Sequence, residues 1–427
     1  MKQLNTLRSG MDSILKSPTR KKLLSNFFSL SIIQGANYLI PLIILPYIVR
    51  FIGPEKFGLL TYAQTFVYYF TIIVNYSFDY TATREISTHR EDKERISAIY
   101  SSIFFTKILL FALATVMLLI IVFSIDKFNK HSNVYLVSYL INIGFVFFPS
   151  WFFQGIEKLS KTAFFNLVTK VIFAITVMFF INEEEDFLMY AFGNSIAQII
   201  VGVVAFIYAI RHYKIHVFRV SFEEIKKTLK EGRSVFLSNI TVSLYTNTNL
   251  IILGFYATEL EFGYFSAALK VALVTQSLVV LPLGMTLFPH IGRSMRESAS
   301  EGIRILKKYL KWVSIFTFLL TALIFLFADQ IIVLLFGSLF TPAVPLLKIL
   351  AFMPFVSGLN NLISIQGLLN LKKDKEYFFM TLIIFALSMI LNFLIVPIYK
   401  ATGTALILIS LEVVMTTISS FYLFKKT

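Results

Sequence analysis

The sequence predicts an all-α membrane protein. Twelve transmembrane helices form two six-helix lobes, related by a parallel pseudo-two-fold axis around a central cationic cavity. Three observations predict it: a chain too poor in charge to face water, apolar segments that recur at membrane length, and a motif echo between the two halves. Of 427 residues, 57% are hydrophobic and only 15% charged, where soluble proteins average about 45–50% and about 25%. The mean hydropathy is +0.75. A water-facing surface of this size cannot be made from so few charges.

The elements follow in order. Residues 1–25 are basic and polar, hold Pro18, and lack the apolar run and small-residue cleavage site of a signal peptide. They predict a cytoplasmic N-terminal segment. A membrane helix needs about 20 mostly apolar residues. Six segments in the first lobe qualify, at 26–51, 58–81, 97–123, 133–156, 161–182 and 187–210, and place that lobe at 26–212. Residues 213–233 contain "SFEEIKKTLKEG", with Ser221 and Glu224 at capping-box spacing. Phe222, Ile225 and Leu229 fall on one face and Gly232 can end the helix, which reads as a short amphipathic helix on the membrane interface. "SEGIRILKKYLKW" at 300–312 reads as a second. The second lobe, 234–427, holds spans at 234–256, 262–290, 305–328, 342–370, 376–397 and 400–424. The first, eighth and tenth are long and contain prolines, so they should tilt or bend.

Charge orients these spans. Of the 39 lysines and arginines, thirty fall at the two termini and in the loops on their side, against Lys56, Lys127, Lys130 and Lys400 on the other. The positive-inside rule then makes both termini cytoplasmic. The net charge of +15 is explained by topology and calls for no nucleic-acid partner. Outer-side loops are short, which leaves no room for the extramembrane site of a polymerase or ligase.

The halves echo each other. "FGLLTYA" (57–63) recurs as "FGYFSAA" (262–268), and "QGIEKLSK" (154–161) as "QGLLNLKK" (366–373). Both run in the same in–out direction, so the repeat is parallel with its axis along the membrane normal.

The buried charges carry the functional reading. A lysine near the bilayer centre costs about 2.5–3.5 kcal/mol on insertion scales. Lys107, Lys170 and Lys270 sit roughly 12–15 Å into their spans at 1.5 Å per residue, too deep for snorkelling to clear. Arg50 and Lys348 lie nearer the outer rim. The acids that could pair with them are few: Asp79 at the inner end of the second span and Glu412 in the middle of the twelfth. Either the bases line a wet, positive cavity that receives an anion, or some are held in structural pairs, for example with Glu412. Amides on the first helices of each half (Gln34, Asn37, Asn75, Asn239, Asn247, Asn249) could line that cavity and meet sugar hydroxyls, or bond helix to helix. The chain has no cysteine, hence no disulfide or thiolate chemistry. Of its five histidines only His212 and His216 stand at HxxxH spacing, in a basic loop, and no HExxH occurs, so no metal is expected. Phosphate-loop and dinucleotide motifs are absent, which predicts no nucleotide cofactor and no ATP hydrolysis.

The strings "LPYIVRFIGPEKFGLLTYAQ" (45–64), "FDYTATREIS" (78–87), "WFFQGIEKLS" (151–160), "YTNTNLIILGFY" (245–256), "GYFSAALKVALV" (263–274), "LFPHIGR" (287–293) and "LNNLISIQGLLNLKK" (359–373) resemble the bacterial polysaccharide-repeat-unit flippases. These are the Wzx-type O-antigen transporters of the multidrug/oligosaccharidyl-lipid/polysaccharide exporter superfamily. The resemblance implies twelve helices in two lobes forming a V, in the inner membrane. It implies transfer of an undecaprenyl-pyrophosphate-linked oligosaccharide to the periplasmic leaflet, with ion coupling and no enzymatic step. A polysaccharide polymerase and a chain-length regulator are the protein partners it implies. Arg50, Asp79, Arg84 and Lys270 fall in its motifs, and Lys107 and Lys170 at places where the family often has a base. Glu412 matches no motif, so an ion-coupling role for it with Asp79 rests on its position alone. Three rivals remain: a peptidoglycan-precursor flippase, a cation or drug antiporter of the same superfamily, and a membrane-embedded polymerase or ligase.

Overall fold

The computed structural model describes the backbone of residues 18–425 and the side chains of 43–425 other than 245–246, 278–286, 289 and 299. Most of the basic N-terminal segment and the side chains of Gln34 and Asn37 lie outside the described residues. Among the described residues the chain is helical, with no strand. Eight stretches of them are long and apolar enough to cross a membrane.

What these helices leave uncovered is apolar. On Lys93–Ser124, Ala114, Leu118 and Val122 are fully buried while Leu113, Val116 and Ile120 are more than half exposed. On Asp374–Phe424, Ile384, Ser388 and Asn392 face inward and Phe378, Phe379, Ile383 and Phe393 outward. A helix with apolar side chains on its outer face is solvated by lipid.

Two stretches, Ile43–Thr88 and Asp374–Phe424, run 46 and 51 residues, more than twice the ~20 one crossing needs. Each is broken. The helix Pro18–Asn75 is interrupted at Gly53, whose φ of 67° suits glycine, and Pro54 restarts it. Asp374–Phe424 is interrupted at Lys400, with φ 44° and ψ −123° just after Pro397. The Lys400 ammonium reaches both Glu261 oxygens at 3.0 Å. Burial pushes the Glu261 carboxyl up, but hydrogen bonds from Thr258 and Lys400 and the ammonium charge outweigh it and hold it below the usual carboxylate range. The tenth apolar segment is irregular, as its prolines predict: a 3₁₀ turn at Ser338–Ala343, helices at Val344–Leu350 and Met353–Asn360, and a π-helix at Asn361–Leu369.

The chain forms two compact units. One is built on Val67–Asn182 and Leu188–Ile240 with the chain up to Tyr47; the other is built on Ile48–Phe66, Glu183–Phe187 and Thr241–Thr427. The first has an aromatic core of Tyr100, Trp151, Phe152 and Phe153. Within it, Ser97 accepts from the His216 amide at 3.1 Å and Ser101 from the Phe218 amide at 3.2 Å. These two hydroxyls fasten the extended stretch after Tyr213 to Lys93–Ser124.

The amphipathic helix differs from the sequence reading. Its capping box forms, with the Ser221 amide donating to Glu224 at 2.9 Å and the Glu224 amide to Ser221 Oγ at 3.2 Å. Gly232 does not end it; the helix runs unbroken over Phe222–Tyr256. The glycine answers a packing need instead. A Cβ there would lie 3.0 Å from the Tyr76 ring, which stacks on Phe236 at 4.4 Å and donates its hydroxyl to Leu229 O. The 300–312 stretch is likewise the first part of a longer helix, Ala299–Leu326, opened by Ser298.

In the second unit the two echoed "FG" motifs meet each other. A Cβ on Gly58 would lie 1.8 Å from Glu259 O and 2.6 Å from Gly263 N, and one on Gly263 would lie 2.0 Å from Pro54 O. Backbone touches backbone, which only glycine permits.

Candidate functional site

Two motifs, distant in sequence, build one wall of the first unit. Phe78–Thr88 carries "DYTATREIS" and packs on Ser150–Gly155, which carries "WFFQG". Thr83 Oγ1 donates to Trp151 O at 3.0 Å, and Arg90 Nε to Gly155 O at 3.0 Å. Arg90 also pairs with Glu157 at 2.8 Å. A Cβ on Gly155 would lie 2.6 Å from Ile86 Cγ2, so the glycine is what lets the two helices close.

On this wall opens a hollow of about 610 Å³, lined by Asp79, Tyr80, Thr83, Arg84, Ser87 and Gln154. Asp79 sits in the first turn of its helix, where the helix dipole favours a carboxylate, and accepts from Ser150 Oγ at 2.5 Å. Arg84 is exposed, and among the described residues no carboxylate lies within ion-pair distance of its guanidinium. Ser87 donates to Arg84 O at 2.7 Å. A free guanidinium, a phenol and an amide around an open space can take a phosphate and sugar hydroxyls.

The other bases are placed as follows. Lys107 is 2% exposed and donates to Phe145 O at 2.5 Å; the Asp79 carboxylate acts on it electrostatically. Lys170 is half-buried on Leu159–Phe180. In the second unit, Lys270 Nζ stands 5.0 Å from the centroid of the buried Phe57 ring, and no described carboxylate pairs with it. Arg50 donates to Leu334 O at 2.9 Å. That carbonyl is one of the last of Ala328–Phe336, which Gly337 ends at φ 87°, so the guanidinium satisfies an open helix end. Lys348 pairs with Asp329 at 3.5 Å.

Glu412 has no lysine beside it among the described residues. It accepts from Asn360 Nδ2 at 2.8 Å. Asn360 in turn accepts from Ser364 Oγ at 2.5 Å, and Ser364 also bonds Ser419 at 2.7 Å. The chain of groups thus enters the π-helix, a form frequent at functional sites. The candidate amides divide. Asn249 is buried and accepts from Ser388 at 3.0 Å and Asn392 at 2.7 Å, and Asn239 donates to Ser77 at 2.7 Å; both tie helix to helix. Asn247 donates to Ser243 O at 3.3 Å, and Asn75 is half-buried at a helix end.

Sequence reasoning named Asp79 and Arg84 but not their neighbours. Gln154 stood in the quoted "QG" echo, and Asn360 and Ser364 in the "LNNLISIQ" string; Ser150 and Ser419 carried no signal. Among the described residues no three His, Cys, Asp or Glu side chains gather as metal ligands.

Comparison with known proteins identifies the class. The pattern of the polysaccharide biosynthesis protein family matches residues 23–295, and the chain belongs to that family. Two proteins carrying the provisional name O-antigen transporter are similar to it. One, from Escherichia coli (strain K12), is 28% identical over 92% of this chain and 94% of its own. The other, from Shigella dysenteriae, is 30% identical over 66% of this chain and 70% of its own. In fold, the chain is similar to the lipid II flippase MurJ in an inward closed conformation, with TM-score 0.71, 16% identity, and coverage of 93% of this chain and 87% of that one. It is also similar to an inward-facing multidrug resistance MATE family transporter of the MOP superfamily, with TM-score 0.71, 13% identity, and coverage of 91% and 94%. The resemblance drawn from the quoted motifs is borne out: this is a multi-pass membrane transport protein of polysaccharide biosynthesis, and its family and relatives are transporters, not enzymes.

Proposed function

We propose that the protein is a flippase for undecaprenyl-pyrophosphate-linked polysaccharide repeat units, carrying them from the cytoplasmic to the periplasmic leaflet of the inner membrane by alternating access. The observation that carries this reading is the unpaired Arg84 guanidinium at a hollow edged by a phenol, hydroxyls and an amide. A pyrophosphate carries about two negative charges, and its bare passage through hydrocarbon would cost several kcal/mol or more. Guanidinium and ammonium groups replace the water it loses. Arg84, in the first unit, receives the headgroup on the cytoplasmic side; in the second unit Lys270, resting on the Phe57 ring, offers an ammonium to an anionic cargo. The lipid tail stays in the bilayer.

Twelve crossings in two six-helix lobes are supported by the breaks at Gly53 and Lys400, which divide the two overlong helices. Both termini lie in the cytoplasm on the lysine and arginine distribution. The relatives' name favours an O-antigen unit over a peptidoglycan precursor as cargo. Polymerase and chain-length regulator act on the product outside.

The test is complementation of a strain lacking its own O-antigen flippase, read as surface polysaccharide. Arg84→Ala should lower it about tenfold, the loss of one charge-assisted hydrogen bond, with membrane abundance unchanged. Full surface polysaccharide in that variant would overturn the loading role. For ion coupling we propose the two acids, Asp79 and Glu412. Glu412 has no lysine beside it among the described residues, and an intramembrane carboxylate of that kind is tolerable when it takes up and releases a cation. Glu412→Gln should abolish the stimulation of transport by an imposed proton or sodium gradient in proteoliposomes. Stimulation equal to that of the parent protein would remove Glu412 from the coupling.

A further inference from the structure

We propose that Lys107 is a positioning residue: it holds open the break at Pro149 on which the Asp79–Arg84 hollow is built. The helix Ile141–Phe147 ends because Pro149 forces Phe148 into extended backbone, with φ −73° and ψ 110°. The Phe148 amide still reaches Gly144 O at 2.9 Å. The next carbonyl, Phe145 O, would in a continued helix accept from residue 149, and proline has no N–H to give. The Lys107 ammonium takes that place. An unfilled carbonyl inside the membrane would have no water to turn to. The ammonium also meets the negative end of a helix and the electrostatic field of Asp79.

The consequence runs down the chain. Immediately after the break, Ser150 bonds Asp79, Trp151 O accepts from Thr83, and Gln154 lines the hollow. All three depend on the direction in which the chain leaves Pro149. Lys107 therefore acts on the hollow through the backbone without entering it. Its importance for transport rests on the reading of that hollow as the loading site.

The experiment uses Pro149→Ala, which restores an N–H able to reach Phe145 O. The chain has no cysteine, so Ser87→Cys reports on the hollow by its rate of labelling with a membrane-impermeant maleimide in inverted vesicles. Transport is measured separately, without that substitution. Lys107→Met should change the labelling rate about tenfold, as expected for one buried hydrogen bond lost, and lower transport. Lys107→Arg, which keeps a donor, should hold labelling near the parent rate. The double variant Lys107→Met/Pro149→Ala should bring labelling back to the parent rate and recover transport. If Lys107→Met fails to accumulate, recovery of membrane abundance by Pro149→Ala supports the proposal. A double variant no better than Lys107→Met in labelling or abundance overturns it, because the charge itself is then what matters. Labelling restored without transport keeps the positioning role and overturns the hollow as the place of loading.

Discussion

Lys270→Ala is expected to cut transport of the lipid-linked oligosaccharide by about 10- to 100-fold while leaving insertion and abundance unchanged. The magnitude is that of one charge-assisted hydrogen bond, about 1.5–3 kcal/mol, at about 1.4 kcal/mol per tenfold. Lys270 qualifies because its ammonium rests on the Phe57 ring at 5.0 Å and on no described carboxylate. A cation–π contact is worth about 0.5–2 kcal/mol and leaves the charge available to an incoming phosphate, whereas an ion pair would neutralise it. Lys348, paired with Asp329, is the internal contrast, and Lys348→Ala should reduce transport less. Lys270→Arg should retain part of the activity, since charge counts for more than shape at this position. Complementation and initial rates in vesicles both read the effect. Equal loss in Lys270→Ala and Lys270→Arg would contradict the electrostatic role.

Leucine at Gly58 or Gly263 is expected to be still more damaging, because it acts on the fold. The added Cβ alone would lie 1.8 Å from Glu259 O at Gly58 and 2.0 Å from Pro54 O at Gly263. Both obstacles are backbone and cannot rotate away. Overpacking commonly costs about 1–3 kcal/mol, and two helices forced apart along their length should exceed it. Gly58→Leu should yield little monodisperse protein in detergent, and Gly58→Ala should lower the melting temperature. Gly358→Ala is the control, since its Cβ would meet only side chains, Thr317 Cγ2 at 3.2 Å and Val313 Cγ1 at 3.6 Å, and no backbone. A Gly58→Leu protein that melts like the parent would show that the two helices do not meet at their glycines.

These cases mark what could be read from the chain itself. Membrane residence, helical class and family were legible because they rest on composition, segment length and local strings. The capping box at Ser221 and Glu224 was legible because its partners are three residues apart. Gly232 misled because a glycine near a helix end and a glycine under an aromatic ring look alike until Tyr76 is in place. The bases were found by depth, but their partners were not. Arg50 meets a carbonyl 284 residues away and Lys107 one 38 residues away. A backbone carbonyl freed by a proline leaves no mark at the lysine that answers it. Asp79 and Arg84 were singled out by their motif. That the motif faces Gln154 across a hollow followed only once Gly155 was seen against Ile86.

The central claim is that the protein moves an anionic, lipid-linked oligosaccharide across the bilayer, recognising its pyrophosphate by guanidinium and ammonium groups. The most direct measurement reconstitutes the purified protein in liposomes with a polyprenyl-pyrophosphate-linked oligosaccharide in the outer leaflet and follows its loss from a membrane-impermeant reagent. The account predicts protein-dependent protection that slows in Arg84→Ala and Lys270→Ala and fails for the same glycan on a neutral lipid anchor. Protection no faster than in protein-free liposomes, or equal with the charged and neutral anchors, would contradict it.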